Sequence, residues 1–580
     1  MSGAIFSLTE ALMPHLSVAP ILLPLLAACT MLLLSERRQR AKTAVGLFAT
    51  FLNLVLVVLL FLWTARGDAQ GTYSVYLPSN WDVPFGIVLV LDRLSALMLL
   101  LVGVVGMMAL LFSVARWHRA GAHFHPLFQL QLMGLNGAFL TGDLFNLFVF
   151  FEVMLAASYG LLLHGSGPAR VKAGLQYLSI NLVASSLFLL GAALIYGVVG
   201  TLNLADLAAK IPRVPDLDRP LLHAGCALLG VAFLAKAAMW PLNFWLVPAY
   251  SSASAPSGAI FTLLTKVGVY VLLRLSTMWF SPQAGESAGF GSDWLVWGGM
   301  ATLAFGALGM LASQRPARLA GYAVIVSSGT IMAMIGLGRP EVTAAALYYL
   351  PTSTLAIAAF FLLTELMDRS RSADPLAQRR PEDEEDHLPF ALADLDLQQV
   401  SNLDDDEELL VGQSIPASVA LLGLAFISCT VLVAGLPPLS GFVGKFAMLS
   451  ALLSTPHPGG AVTGITATLL GLVVLSGLFA LIALSRTGIR FFWSPIDRQA
   501  PMLSSLEYVP VAVLVGLCVL FTVRAEPLMR YARDTAQVLY QPQGYIDAVL
   551  SAQPKVTPTN VERRSQPGSP APAPAPPASP

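Results

Sequence analysis

Charge is scarce in this chain: Lys, Arg, Asp and Glu make up 12% of its 580 residues, against 56% hydrophobic. Water-soluble domains do not need that bias, which excludes a chain built only of them. Cysteine is scarcer still. Cys29, Cys226, Cys429 and Cys518 all lie inside apolar runs, without the close Cys/Cys or Cys/His spacing of a metal site, so no disulfide or metal role is implied. Concentrated basic sequence is also missing, and a net charge of -1 offers nucleic acid no surface to bind. The chain shows no nucleophile beside a base, no metal-ligand cluster and no phosphate-binding glycine loop, so it does not read as an enzyme and needs no cofactor. The first apolar run, after Glu10, lacks a basic leader and a clear small-residue cleavage site, and reads as a retained span.

Long apolar runs are what the chain has in plenty. From near Val18 to near Phe521, about fourteen of them approach or exceed the ~18 residues that cross roughly 30 Å of hydrocarbon as a helix. Lipid cannot satisfy exposed backbone groups, and the runs lack the alternation of a barrel wall, so the fold class is an all-α polytopic membrane protein. The expected spans are 18–35, 43–64, 87–114, 127–143, 145–164, 174–199, 221–246, 257–276, 294–312, 318–338, 341–366, 415–453, 464–485 and 507–523. With the N-terminus outside, seventeen Lys and Arg between Arg37 and Arg498 fall on the cytoplasmic side. The opposite loops hold only Arg66, Lys210, Arg213, Arg219 and Arg339, with Arg274 at a span end, which favours this orientation. The stretch 368–413, with its EDEED and DDDEE, reads as a solvated cytoplasmic loop. The tail from Thr557 ends in PAPAPAPPASP and reads as Pro-rich low complexity without fixed structure.

An ionisable group near the bilayer centre costs at least ~2.5 kcal/mol, so a retained one faces protein or water. Four stand out: Glu152, Lys236, Lys266 and Lys445, each with apolar neighbours on both sides. Burial disfavours the charged form of such groups and a nearby opposite charge restores it, so a Glu152/Lys236 pair that can separate would act as a proton switch. A static ion pair is the plainer alternative. Two of the lysines also sit beside helix breakers: Pro241 follows Lys236, while Pro437, Pro438 and Gly441 precede Lys445. Interrupted helices whose freed carbonyls line a wet cavity are a common design for midplane ion sites, although proline also makes simple kinks. Asp143 reads as a helix cap, or as an access group for protons or cations. Asp92 and Arg93 read as stabilising charges at the outer end of the third span, and Glu365 as an interfacial charge at the inner end of the eleventh.

At these residues the sequence becomes familiar. TGDLFNLFVFFEVM, FLAKAAMWPLNFWLVPAYSSASAPSGAIFTLLTKVGVYVLLR and GLPPLSGFVGKF resemble the antiporter-like subunits shared by respiratory complex I and the multisubunit cation/proton antiporters. The TGDLFN and PAYSSASAPSGAI wordings, GYAVIVSSGT and the acidic insertion make the chain most similar to the D subunits of the Mrp or Pha type. The resemblance covers roughly spans three to thirteen. It implies a bacterial inner-membrane protein with a fourteen-helix core and broken helices seven and twelve. Its parts would be helices 1–3 over 1–126, one five-helix repeat over 127–276, an inverted second over 294–485, helix 14 over 486–523 and a tail over 524–580. It also implies that Glu152 is the carboxylate of the fifth span, Lys236 its partner, Lys266 the central relay lysine and Lys445 the terminal one. Partners would be other membrane subunits, with protons and Na+ or K+ as cargo.

One departure matters. Complex I relatives tend to carry histidine, and a His and Lys, where Ser327, Thr352 and Ala356 align in this sequence. The eight histidines fall outside span centres and read as surface or interfacial residues. The central path would instead run through water held by Ser327, Ser328, Thr330, Tyr348, Ser353 and Thr354. The leading expectation is a proton-translocating antiporter subunit. A pumping subunit of complex I or of a membrane-bound hydrogenase is the first alternative, and a single-protein transporter the second.

Overall fold

The computed structural model describes residues 15–66, 72–117, 121, 123–372, 416–454, 464–492 and 504–554. Helix ends follow local chemistry. In α1 (Ala19–Leu33) Pro20 lies in the first turn, where its missing N–H costs nothing, but Pro24 lies inside the helix and leaves the Pro20 carbonyl without its partner. Asn136 of α4 (Phe124–Leu140) donates its side-chain amide to that carbonyl at 2.7 Å, fastening the two helices. After α1 comes α2 (Gln39–Arg66). The third span was expected from residue 87, yet α3 (Arg93–Ala115) begins only at 93. Asp92 there has extended backbone and its carboxylate accepts the Ser95 N–H at 2.9 Å, while Leu89–Leu91 (β2) pairs antiparallel with Ser74–Tyr76 (β1).

The chain continues as α5 (Leu144–Leu163), α6 (Pro168–Val199), the short α7 (Leu204–Lys210) and α8 (Arg219–Lys236). Lys236 is the last residue of α8; a non-helical stretch holding Pro241 follows, and then α9 (Leu246–Ser252). α10 (Ala255–Met278), α11 (Ser292–Ala312), α12 (Pro316–Gly336) and α13 (Pro340–Ser372) come next. A second break separates α14 (Ala417–Ala434) from α15 (Ser440–Ser454). Gly435 caps α14 with φ of 75°, a left-handed turn that ends the helix, and Pro437 and Pro438 occupy the break. Gly441 stands in the first turn of α15 instead, where any side chain would run into the Leu432 carbonyl. α16 (Gly464–Phe492) and α17 (Ser505–Val523) complete the apolar helices.

Each of the fourteen expected spans holds a helix, but among the described residues twelve are long and apolar enough to cross a membrane. The exceptions are α1, which is apolar but short, and the 17-residue α4. The chain is a multi-pass membrane protein. Its centre is α10, α12 and α13, whose apolar stretches are 94%, 94% and 100% buried, whereas α2, α6, α16 and α17 bury a third or less. Small residues let the helices close up, since lipid gives apolar faces no hydrophobic reason to associate. A side chain at Gly191 of α6 would stand 2.7 Å from the Gly225 carbonyl of α8.

Residues 524–550, expected as tail, form α18 (Ala525–Leu539) and α19 (Gln543–Leu550). Tyr531, Ala532, Thr535, Ala536 and Leu539 line the buried face of α18, and Asp534 pairs with Arg93 of α3 at 3.0 Å. The segment is amphipathic instead of apolar throughout, so a search for apolar runs passes over it. Most of the acidic loop, from 373, and the Pro-rich tail, from 555, lie outside the described residues.

Candidate functional site

Glu152 lies on α5, about 13 Å along the helix from its cap Asp143. Asp143 accepts the Asn146 N–H at 3.0 Å, and burial raises its carboxyl above the usual carboxylate range. Glu152 is half-buried and accepts a hydrogen bond from the Ser185 hydroxyl of α6. Lys236, 6% exposed, turns its ammonium to the ring face of Phe151 at 4.7 Å. A direct Glu152/Lys236 ion pair, the plainer expectation, does not form within 4 Å. Ser185 holds the carboxylate toward α6, and Lys236 finds the phenyl face of the adjacent residue while also sitting at a helix C-terminus, which favours a cation. Tyr177, Asn181, Trp245 and Met154 line a small pocket of about 20 Å³ beside Lys236.

The first break leads to α10. A side chain at Gly268 would stand 2.8 Å from the Ala237 backbone nitrogen, so the helix carrying Lys266 lies directly on the break below Lys236. Lys266 is 1% exposed. Its ammonium donates to the Ser327 hydroxyl at 2.8 Å and to Ser328 at 3.3 Å, both on α12. Ser327 shares a further hydrogen bond of 2.9 Å with Ser353 on α13. Three central helices thus meet at one hydroxyl cluster.

Beyond it, Lys445 of α15 is 7% exposed and donates to the Ala434 carbonyl at 2.9 Å, the last residue of α14. That carbonyl is free because Gly435 ends the helix. Gly477 of α16 also packs here, with room for only a hydrogen: a side chain would come within 3.4 Å of the ammonium.

Not every expected path residue faces this row. Ser327, Ser328 and Ser353 do, whereas the Thr354 hydroxyl bonds back to Leu350 of its own helix and Tyr348 donates to the Phe521 carbonyl of α17 at 3.0 Å. The Thr330 hydroxyl bonds back to Val326 of its own helix. Tyr349, one residue from the one expected, is buried and packs on Gly444 of α15. Its signal in the sequence was spacing: Tyr349 and Ser353 are i and i+4 on α13, as Ser327 and Thr330 are i and i+3 on α12, so each pair shares a face. Tyr348 is turned away by about 100°.

The span-end charges find distant partners. Asp92 takes Arg274 of α10 in a two-pronged pair, with the Oδ1 contact at 2.9 Å, and Glu365 accepts the Trp117 indole N–H at 2.7 Å. Glu507 of α17 pairs with Arg369 at 2.8 Å. His125 and His164 are buried, but both lie at helix ends; His118, His387 and His457 fall outside the described residues. Among the described residues, no three His, Cys, Asp or Glu side chains gather as a metal ion would need.

A multi-pass helical membrane protein with two interrupted helices beside buried cations belongs, by design, with the secondary transporters and their relatives. Comparison narrows this. Residues 141–381 match the family described as NADH:quinone oxidoreductase/Mrp antiporter, TM. A Rhizobium meliloti (strain 1021) protein, named as the probable D subunit of a K(+)/H(+) antiporter, is 52% identical over 543 residues, covering 93% of this chain and 98% of the relative. The Na(+)/H(+) antiporter D subunit of Alkalihalophilus pseudofirmus is 32% identical over 545 residues, covering 93% and 100%. A chain in the Mrp complex from Dietzia sp. DQ12-45-1b superposes with a TM-score of 0.74 at 25% identity, covering 93% of this chain and all of that one. The chain belongs to the D-subunit family of the Mrp-type cation/proton antiporters.

Proposed function

We propose that this chain carries protons through the bacterial inner membrane as one subunit of a hetero-oligomeric Na+ or K+/H+ antiporter, using Glu152, Lys236, Lys266 and Lys445 in that order. The observation that carries the reading is the setting of Lys266. The residue is 1% exposed and its ammonium's partners are the neutral hydroxyls Ser327 and Ser328, with no carboxylate within 4 Å among the described residues. A buried charge kept for structure is paired with an opposite one, because an uncompensated charge costs several kcal/mol. A lysine held by hydroxyls can release its proton and lose that cost.

Glu152 and Lys236 form the gate. When the carboxylate leaves Ser185 for Lys236, the pair closes and the ammonium is held; when it returns, the ammonium is free to pass its proton on. The two breaks, one beside Lys236 and one beside Lys445, give each end of the row a place where backbone can shift without disrupting a continuous helix. Asp143, a half-buried carboxyl at the outer end of α5, is the access group on that side.

The test is ΔpH-driven Na+/H+ and K+/H+ exchange in inverted vesicles containing the whole complex, with assembly followed on native gels. Glu152→Gln and Lys236→Ala are expected to abolish exchange while the complex still assembles. Exchange at the wild-type rate would return the pair to a static structural role.

A further inference from the structure

One guanidinium ties together the ends of the helices that build the gate. Lys236 ends α8, and beyond the break the chain continues as α9, whose last residue is Ser252. Arg170, in the first turn of α6, donates its Nε–H to the Ser252 carbonyl at 2.8 Å. Its Nη1 donates to the carbonyl of His164, the C-cap of α5, at 3.0 Å, and to that of Ser166 at 3.2 Å. Glu152 is on α5, so one side chain grips the C-terminal ends of the carboxylate's helix and of the half-helix beyond Lys236. The dipole of α6 itself disfavours a cation in its first turn, and the two C-termini that Arg170 faces offset this. Its seat is shaped to match. The Trp117 ring centre lies 5.3 Å from the guanidinium carbon, and the Trp117 indole N–H is fixed on Glu365 of α13 at 2.7 Å. Gly165 has φ of 88°, and a side chain there would run into Nη1. About two turns further along α6, Tyr177 packs on Trp245 with ring centres 5.3 Å apart. The Trp245 indole N–H donates to the Ala235 carbonyl, beside Lys236, at 3.3 Å. Ser185, further along the same helix, holds Glu152.

We infer that Arg170 is a positioning residue that clamps the half-helix beyond Lys236 to the helix of Glu152. Movement at the first break then changes the distance between carboxylate and ammonium instead of being lost at the far end of α9. This rests on the reading of Glu152 and Lys236 as the gate. Arg170 hydrogen-bonds to neither group and acts through the backbone it holds. An arginine suits the task because its planar fork reaches carbonyls on two elements while its face lies on a ring, whereas an ammonium is a point charge on a flexible stem.

Another arginine supplies the control. Arg486 donates to the Leu311 and Ser313 carbonyls at the end of α11, each at 2.8 Å, but α11 is unbroken. In vesicles holding the whole complex, with rates taken per assembled complex, Arg170→Gln is expected to lower the maximal exchange rate at least about tenfold while the apparent KM for the cation stays unchanged. Arg486→Gln is expected to stay within about twofold of wild type, and equal losses in both would make the effect one of capping helix ends and overturn the inference. Arg170→Lys returns the charge without the fork. It is expected to assemble as wild type does and to stay at least about fivefold slow; full rescue by lysine would show that charge alone suffices and overturn the clamp. Lys236→Ala is measured beside them. If it abolishes exchange and Arg170→Gln does not lower it, the inference about Arg170 falls alone; if Lys236→Ala leaves exchange intact, the gate falls and the clamp with it. Should Arg170→Gln fail to assemble, Arg170→Lys carries the test, and wild-type exchange in it would be equally decisive.

Discussion

At the scale of single residues, what matters about the lysines is their ability to lose a proton. Lys266→Arg keeps the charge and can keep hydrogen bonds to Ser327 and Ser328, but a guanidinium does not deprotonate in a protein. Exchange should therefore vanish in Lys266→Arg as it should in Lys266→Ala, and an active arginine variant would show that only the charge is needed. Lys266→Met should assemble and melt no lower than wild type, because replacing a buried uncompensated ion by an apolar chain of similar volume is neutral or stabilising by about 1–4 kcal/mol. Thermal stability of the purified complex checks it. Asp143 gives a pH dependence. Burial raises its carboxyl in the folded state, so its contribution to stability is full below the ordinary carboxylate range and is lost as pH rises through the raised value. Asp143→Asn keeps the helix cap without the charge. It should melt higher than wild type at neutral pH and lose that advantage in acid; an unchanged difference across the pH range would show that the carboxyl is not the cause.

At the scale of elements, the breaks and kinks depend on a few backbone positions. Gly435 has φ of 75°, and a side chain there would crowd Lys445. Gly435→Ala should cost about 1–2 kcal/mol in the turn and displace the ammonium from Ala434, lowering both assembly and exchange. The same substitution at Gly516 of α17, where nothing lies within 4 Å, should be silent in both assays. Proline marks the interruptions in the sequence itself, because a missing N–H and a fixed φ act on the residues next to it. The consequences of a break are not local: Pro24 frees a carbonyl that Asn136 satisfies from another helix, a pairing across 116 residues that no short spacing announces.

For the whole molecule, charges far apart in sequence fix how the helices sit. Asp92 and Arg274 are 182 residues apart and both nearly fully buried, and Arg93 and Asp534 are 441 apart. Asp92→Leu would leave the Arg274 guanidinium without its carboxylate and should cost about 3–5 kcal/mol, enough to prevent recovery of the assembled subunit. The double variant Asp92→Leu with Arg274→Leu should recover much of the loss, and complex yield after purification reads both. Truncation after Arg524 should likewise weaken the complex by removing Asp534 and the cover that α18 and α19 provide.

The sequence by itself determined the solvent, the apolar helices and the short inventory of groups that do not belong in lipid. Each of these is a local property: apolar length sets a span, proline and glycine set a break, and a lone lysine inside an apolar run is visible at once. Only the tertiary structure decided which groups meet. It set Lys266 on serines instead of a carboxylate, turned Tyr348 to the Phe521 carbonyl, held Glu152 on Ser185, and folded an amphipathic tail back over α13. The helices here are apolar on every side, so periodicity does not mark which face turns inward. Small residues and buried hydrogen bonds between distant helices settle it, and those exist only once the chain has packed.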